Sequence, residues 1–69
     1  MDVLAEVAGS VWKIEAQPGQ ALQAGDVVII IESMKMEIPV EAERAGSLLE
    51  MMVSEGDQIA EGDLLFRLA

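Results

Sequence analysis

Val27-Val28-Ile29-Ile30-Ile31-Glu32-Ser33-Met34-Lys35-Met36-Glu37-Ile38-Pro39-Val40-Glu41-Ala42 runs through the midpoint of a 69-residue chain. The run Val27–Ile31 consists entirely of β-branched residues, which lose χ1 freedom in a helix and pack well on a pleated strand. A second extended run, Ile38 to Ala42, begins just past the hexapeptide Glu32–Glu37. Two extended runs this close predict a β-hairpin, with Lys35 presented at its tip between Met34 and Met36. Pro39 cannot donate to a ladder, so the second run belongs at a sheet edge or begins a strand there. The chain contains only one other lysine, Lys13.

Outward from this hairpin the chain repeats itself. A shift of 37 positions, the distance from Gly9 to Gly46, lays Ala5-Glu6 on Ala42-Glu43 and Ala8-Gly9-Ser10 on Ala45-Gly46-Ser47. It also lays Gly19 on Gly56, Gly25-Asp26 on Gly62-Asp63, and Val27–Ile31 on Leu64–Leu68. Each half reads as a short extended segment, an Ala-Gly turn, an apolar strand, a glycine-containing loop and a second strand after Gly-Asp. The glycines are expected where turns need positive φ. A half this small cannot bury its own apolar face, so two copies are expected to pack on each other around a pseudo-twofold axis. The half-repeats span about 3–31 and 40–68, and residues 32–39 join them. The prediction is an all-β single domain over residues 1–69, built of two small antiparallel sheets.

Composition narrows what such a domain does. A chain of 69 residues buries about 60% of its unfolded surface. With 52% hydrophobic residues but only Trp12 and Phe66 as aromatics, its core has to be aliphatic, and no large pocket is expected. There is no cysteine for a disulfide or thiolate site, and no histidine for the commonest general base or metal ligand. Nothing in the chain pairs a nucleophile with a base. A formal charge of −9, with Lys13, Lys35, Arg44 and Arg67 as the only cations, argues against nucleic acid and points to basic partner surfaces. No run reaches the roughly 20 apolar residues of a membrane span, and the acidic start lacks the cationic region of a signal peptide. A cytoplasmic location is therefore expected, and the negative charge favours a monomer.

Taken together, Glu32-Ser33-Met34-Lys35-Met36-Glu37 followed by Ile38-Pro39, at the centre of a duplicated all-β chain, resembles the biotinyl/lipoyl attachment domains. The likeness covers nearly the whole chain. It implies a barrel-sandwich hybrid, that is, a flattened barrel or sandwich of two four-stranded antiparallel sheets with the acceptor lysine on a hairpin tip. In that family Met-Lys-Met marks the biotin carriers, whereas lipoyl domains usually place Asp before the lysine and Ala after it. Two positions depart from the commonest carrier pattern: Ser33, where Ala is frequent, and Val7-Ala8-Gly9, where a proline often stands. The short loop from Gln17 to Gly25 corresponds to carriers that lack a protruding thumb, such as the short stand-alone attachment proteins.

The resemblance implies that a biotin protein ligase forms biotinyl-adenylate and that the Lys35 amine displaces AMP to make an amide. A lysine ammonium does not attack an acyl group unaided, so an enzyme has to deprotonate it. Biotin on Lys35 would then carry a carboxyl group between biotin carboxylase and carboxyltransferase sites, while the chain itself stays non-catalytic. Met34 and Met36 are expected to serve recognition, since their flexible thioethers adapt to a partner surface. Glu32, Ser33 and Glu37 are candidate ligase contacts. Glu32 is also typical of lipoyl domains, so lipoate on the same lysine, added by lipoyl-attaching enzymes, is the alternative, and an unmodified adaptor is a third.

The remaining polar and large residues have plainer readings. Lys13 is expected to lie along a strand with its amine in water. Met51 and Met52 are read as packing residues. Trp12 is read as a core or half-buried anchor unless its indole is exposed, which would mark a docking patch. The carboxylate pairs Glu15/Asp26 and Asp57/Asp63 are assigned to turns rather than to acid catalysis or calcium.

Overall fold

The computed structural model describes residues 1–69. Eight strands make up the chain: β1 Asp2–Leu4, β2 Gly9–Ile14, β3 Ala21–Leu22, β4 Val27–Ser33, β5 Met36–Glu41, β6 Gly46–Met51, β7 Gln58–Ile59 and β8 Leu64–Leu68. They form two four-stranded sheets, ordered β1-β8-β6-β3 and β5-β4-β2-β7, with every pairing antiparallel. Adding 37 to each residue number turns the second sheet's pairs into those of the first. β2 with β4 becomes β6 with β8, and β5 with β4 answers to β1 with β8. The expected all-β sandwich with pseudo-twofold symmetry is therefore present.

The repeat extends to irregularities. In one sheet the register of β2 on β4 shifts between Val11 and Lys13, and in the other that of β6 on β8 shifts between Leu48 and Glu50. Equivalent shifts fall between Val27 and Ile29 and between Val3 and Leu4. Each shift re-aims a strand so that its inward residues stay on the core. That core is wholly apolar and includes Val11, Val28, Ile29 and Ile31 from one half and Leu48, Leu65, Phe66 and Leu68 from the other. Phe66 occupies the position that Ile29 holds in the first half, and both are fully buried.

Glycine acts in two different ways. Gly19, Gly25, Gly56 and Gly62 have φ between 90° and 93°, and each is the third residue of a four-residue turn. The amide of the fourth residue donates to the carbonyl of the first, as in Asp26 to Gln23 and Asp63 to Ala60. Such a turn, of type II, needs positive φ at its third position. Gly9 and Gly46, by contrast, form no turn. They begin β2 and β6 in ordinary strand conformation, which corrects the Ala-Gly turn expected from sequence. A Cβ at Gly46 would stand 2.8 Å from the Ala69 carbonyl oxygen, and one at Gly9 would collide with the Glu32 carbonyl oxygen. Close backbone approach excludes a side chain at both places.

The repeat is broken at one place in each half. Where the first half passes into the second, the chain closes the β4–β5 hairpin. At the equivalent place in the other half lie the two chain ends, with the Met1 ammonium donating to the Leu68 carbonyl at 2.7 Å. The molecule measures 30 × 17 × 17 Å, and no helix is long and apolar enough to cross a membrane.

Candidate attachment site on the β4–β5 hairpin

Strands β4 and β5 pair from Val27–Glu41 up to Ser33–Met36, which leaves Met34 and Lys35 as a two-residue loop. Their φ angles are 52° and 66°. Positive φ at both central residues defines a type I′ turn, the loop whose twist matches the flanking strands. Asn-Gly normally fills it, because for other L-residues the left-handed region costs about 1–2 kcal/mol each. Met-Lys therefore stands in a conformation that neither residue prefers. The paired strands below hold it there, since Ile29 and Ile31 of β4 are fully buried and pair with Val40 and Ile38 of β5. A slip of one residue would turn these side chains to solvent, so the register that buries them also fixes the height of the lysine. Gly9 contributes by letting β2 pass directly against the Glu32 carbonyl near the tip of the hairpin.

The tip is open on all sides. Met34 is 93% exposed, Met36 is 65% exposed, and the Lys35 side chain is exposed with no carboxylate within ion-pair distance. A free amine on an unobstructed turn has room for an acyl group, so the site fits a covalently attached prosthetic group. The other site residues expected from sequence also converge here. Glu32 and Glu37 lie directly opposite each other as exposed cross-strand neighbours, and Ser33, partly buried, pairs with Met36. Like charges facing each other weaken a ladder by several tenths of a kcal/mol. The hairpin thus carries an acidic pair, unbalanced within the sheet, one step below the amine.

Elsewhere the structure assigns the remaining polar groups to the scaffold. Asp26, Asp57 and Asp63 each accept the backbone amide three residues earlier, at 2.8–2.9 Å, as their reading as turn residues requires. Glu15 instead faces Lys13 at 3.8 Å. No group of three or more acidic, histidine or cysteine residues is placed to hold a metal ion. Met51 packs on the core as expected, but Met52 is 45% exposed, because it follows the last residue of β6 and turns outward. Trp12 sits at the register shift of β2 and is 48% exposed, so the core anchor reading gives way to a surface one.

The outer faces of the two sheets differ although their backbones match. On one, Arg67 Nη1 bonds Glu50 Oε1 and its Nε lies near Asp2 Oδ1, both at 3.2 Å, across three strands. Residues 37 positions away, Lys13, Ile30 and Pro39, form the same row on the sheet that bears the hairpin. An ion ladder on one face is replaced there by an apolar pair and one cation.

A family model described as "Biotin-requiring enzyme" (Biotin_lipoyl) matches residues 1–68. The chain belongs to the Biotin_lipoyl family. It is 44% identical over 69 residues to the biotin/lipoyl attachment protein of Bacillus subtilis, covering all of this chain and 94% of that protein. It is 47% identical over 64 residues to the biotinylated protein TB7.3 homolog of Mycobacterium leprae, covering 93% and 90% of the two. Among solved structures, the Kluyveromyces lactis urea carboxylase superposes with a TM-score of 0.94 at 36% identity, over 100% of this chain and 6% of that one. The Biotin_lipoyl fold thus occurs both as a small separate protein and as a segment of a carboxylase.

One feature had no signal in either half read alone. A hollow of about 140 Å³ opens between β1 and β5, the edge strands of opposite sheets, and Val7, Ile31, Ile38 and Val40 contribute to its lining. Comparison of the halves marks the place, since Val7 stands where the repeat has Arg44.

Proposed function

We propose that the chain is a biotin carboxyl carrier, biotinylated on Lys35 by a biotin protein ligase. The observation that carries this reading is the type I′ turn that presents Lys35 between two exposed methionines, on a fold shared with carboxylase segments. The family is one of carrier domains, and what the chain supplies is position: a rigid register, an unobstructed amine and a flexible side chain as tether. Attached biotin would supply the chemistry, by accepting a carboxyl group at a biotin carboxylase and giving it up at a carboxyltransferase. The acidic pair Glu32 and Glu37 steers the tip towards basic partner surfaces, and Met34 and Met36 adapt to whichever surface is met. A monomer in the cytoplasm is the proposed form.

A second reading places lipoate on the same lysine. The dual name of the Bacillus subtilis relative favours it, as does Glu32 three residues before Lys35. Intact-protein mass spectrometry with peptide mapping separates the two, using cells supplied with both cofactors and a Lys35→Arg control. The expected result is one biotinyl adduct on Lys35 that the control lacks. A lipoyl adduct moves the function to acyl transfer, and an unmodified chain leaves an adaptor.

A further inference from the structure

We propose that Met34 and Met36 form a reversible oxidation site that controls acylation of Lys35, a proposal that rests on the carrier reading above. None of the five methionines in this chain is among its fourteen fully buried residues, although methionine commonly fills such interiors. Their exposure is graded. Met34 is 93% exposed and Met36 65%, against 45% for Met52 and 43% for Met1, while Met51 packs on the core. The two most accessible thioethers are therefore the two beside the lysine. The turn accounts for this, because a two-residue loop at positive φ has no third loop residue to fold back over Met34. The strand residues next to the tip, Glu32, Ser33 and Glu37, offer no apolar cover to sulfur either.

The co-reactant is a hydroperoxide. It transfers one oxygen to each sulfur: an S–O bond forms, the O–O bond breaks, and with hydrogen peroxide the second oxygen leaves as water. The thioether is oxidised by two electrons to a sulfoxide while the peroxide is reduced, and methionine sulfoxide reductases reverse the change.

Oxidation alters the tip in two ways. A flexible apolar side chain becomes a polar one, which removes the adaptable surface that meets a partner. The sulfoxide oxygen is also a hydrogen-bond acceptor on a side chain next to Lys35 in sequence and of similar length. The Lys35 ammonium has no carboxylate within ion-pair distance to compete for it. A charge-assisted hydrogen bond between the two favours the protonated amine. Only the free amine attacks an acyl group, so acylation slows.

Stepwise hydrogen peroxide treatment of the full unloaded chain, quenched with catalase, followed by peptide mapping and timed loading by a biotin ligase, tests this. Met34 and Met36 are expected to oxidise before Met1, Met51 and Met52. The loading rate is expected to fall roughly tenfold, the weight of one charge-assisted hydrogen bond that has to break first. Methionine sulfoxide reductase is expected to restore it. Whatever the starting rate of M34L/M36L, peroxide is expected to leave that rate unchanged, and to slow M51L/M52L as it slows the parent chain. Equal oxidation of all five methionines, or an oxidised tip loaded at the unoxidised rate, overturns the proposal and leaves the carrier function standing. An untreated chain that no biotin ligase loads overturns both.

Discussion

At the residue scale, the two residues at the hairpin tip are held against their own preference. Met34 and Lys35 both take left-handed backbone conformations, and Met has neither the missing Cβ nor the short polar side chain that eases this. The double variant M34N/K35G supplies the pair that a type I′ turn favours. It is expected to raise stability by about 1 kcal/mol, a gain of roughly 4–8 °C in a domain of this size, while removing the Lys35 amine. Urea titration and thermal melting check this; an unchanged or lowered midpoint would mean that the turn stores no strain. Lys35 was legible as the lysine at the hairpin tip because its neighbours spell the motif. The strain was not, because Ser-Met-Lys-Met contains no glycine or asparagine to signal positive φ.

At the scale of the element, the four type II turns show how far a local pattern determines local structure. Pro18-Gly19 and the Gly-Asp steps at 25–26, 56–57 and 62–63 name their turns outright, and the fourth residue's side chain accepts the first residue's amide in each. Asp63→Ala is expected to cost about 1 kcal/mol, since it leaves the Ala60 amide with water as its only partner, and Asp63→Asn less than half of that. Chemical denaturation of the two variants decides it, and equal losses would show that charge rather than the acceptor geometry matters. Gly9 and Gly46 were misread for a definite reason. The same residue type serves a turn by its φ and a strand by its missing side chain, and only the backbone packed against it distinguishes the two uses. The exposure of Trp12 was likewise open, because a register shift at that position decides which way the indole points.

At the scale of the whole molecule, duplication is the organising fact. Two repeats of 37 would occupy 74 positions, five more than the 69 present. Residues 33–37, the tip of the β4–β5 hairpin, are the five with no counterpart 37 positions away. A circular permutant that joins Ala69 to Met1 through five residues with Asn-Gly at the turn, and opens between Met34 and Lys35, is therefore expected to fold cooperatively. Circular dichroism and a urea melt with a single transition would bear this out, whereas a non-cooperative melt would show that the halves are not interchangeable. The sequence by itself determined the strands, the duplication, the four type II turns and the lysine at the hairpin tip, because each depends on residue types at short or fixed spacing. Only the tertiary structure decided which glycines avoid a collision, that the Met-Lys turn is left-handed, and that a hollow opens beside the hairpin. Those depend on which backbones approach each other across the two sheets, and on Val7 being small where Arg44 is large, contacts between positions too far apart in the chain for any local pattern to record.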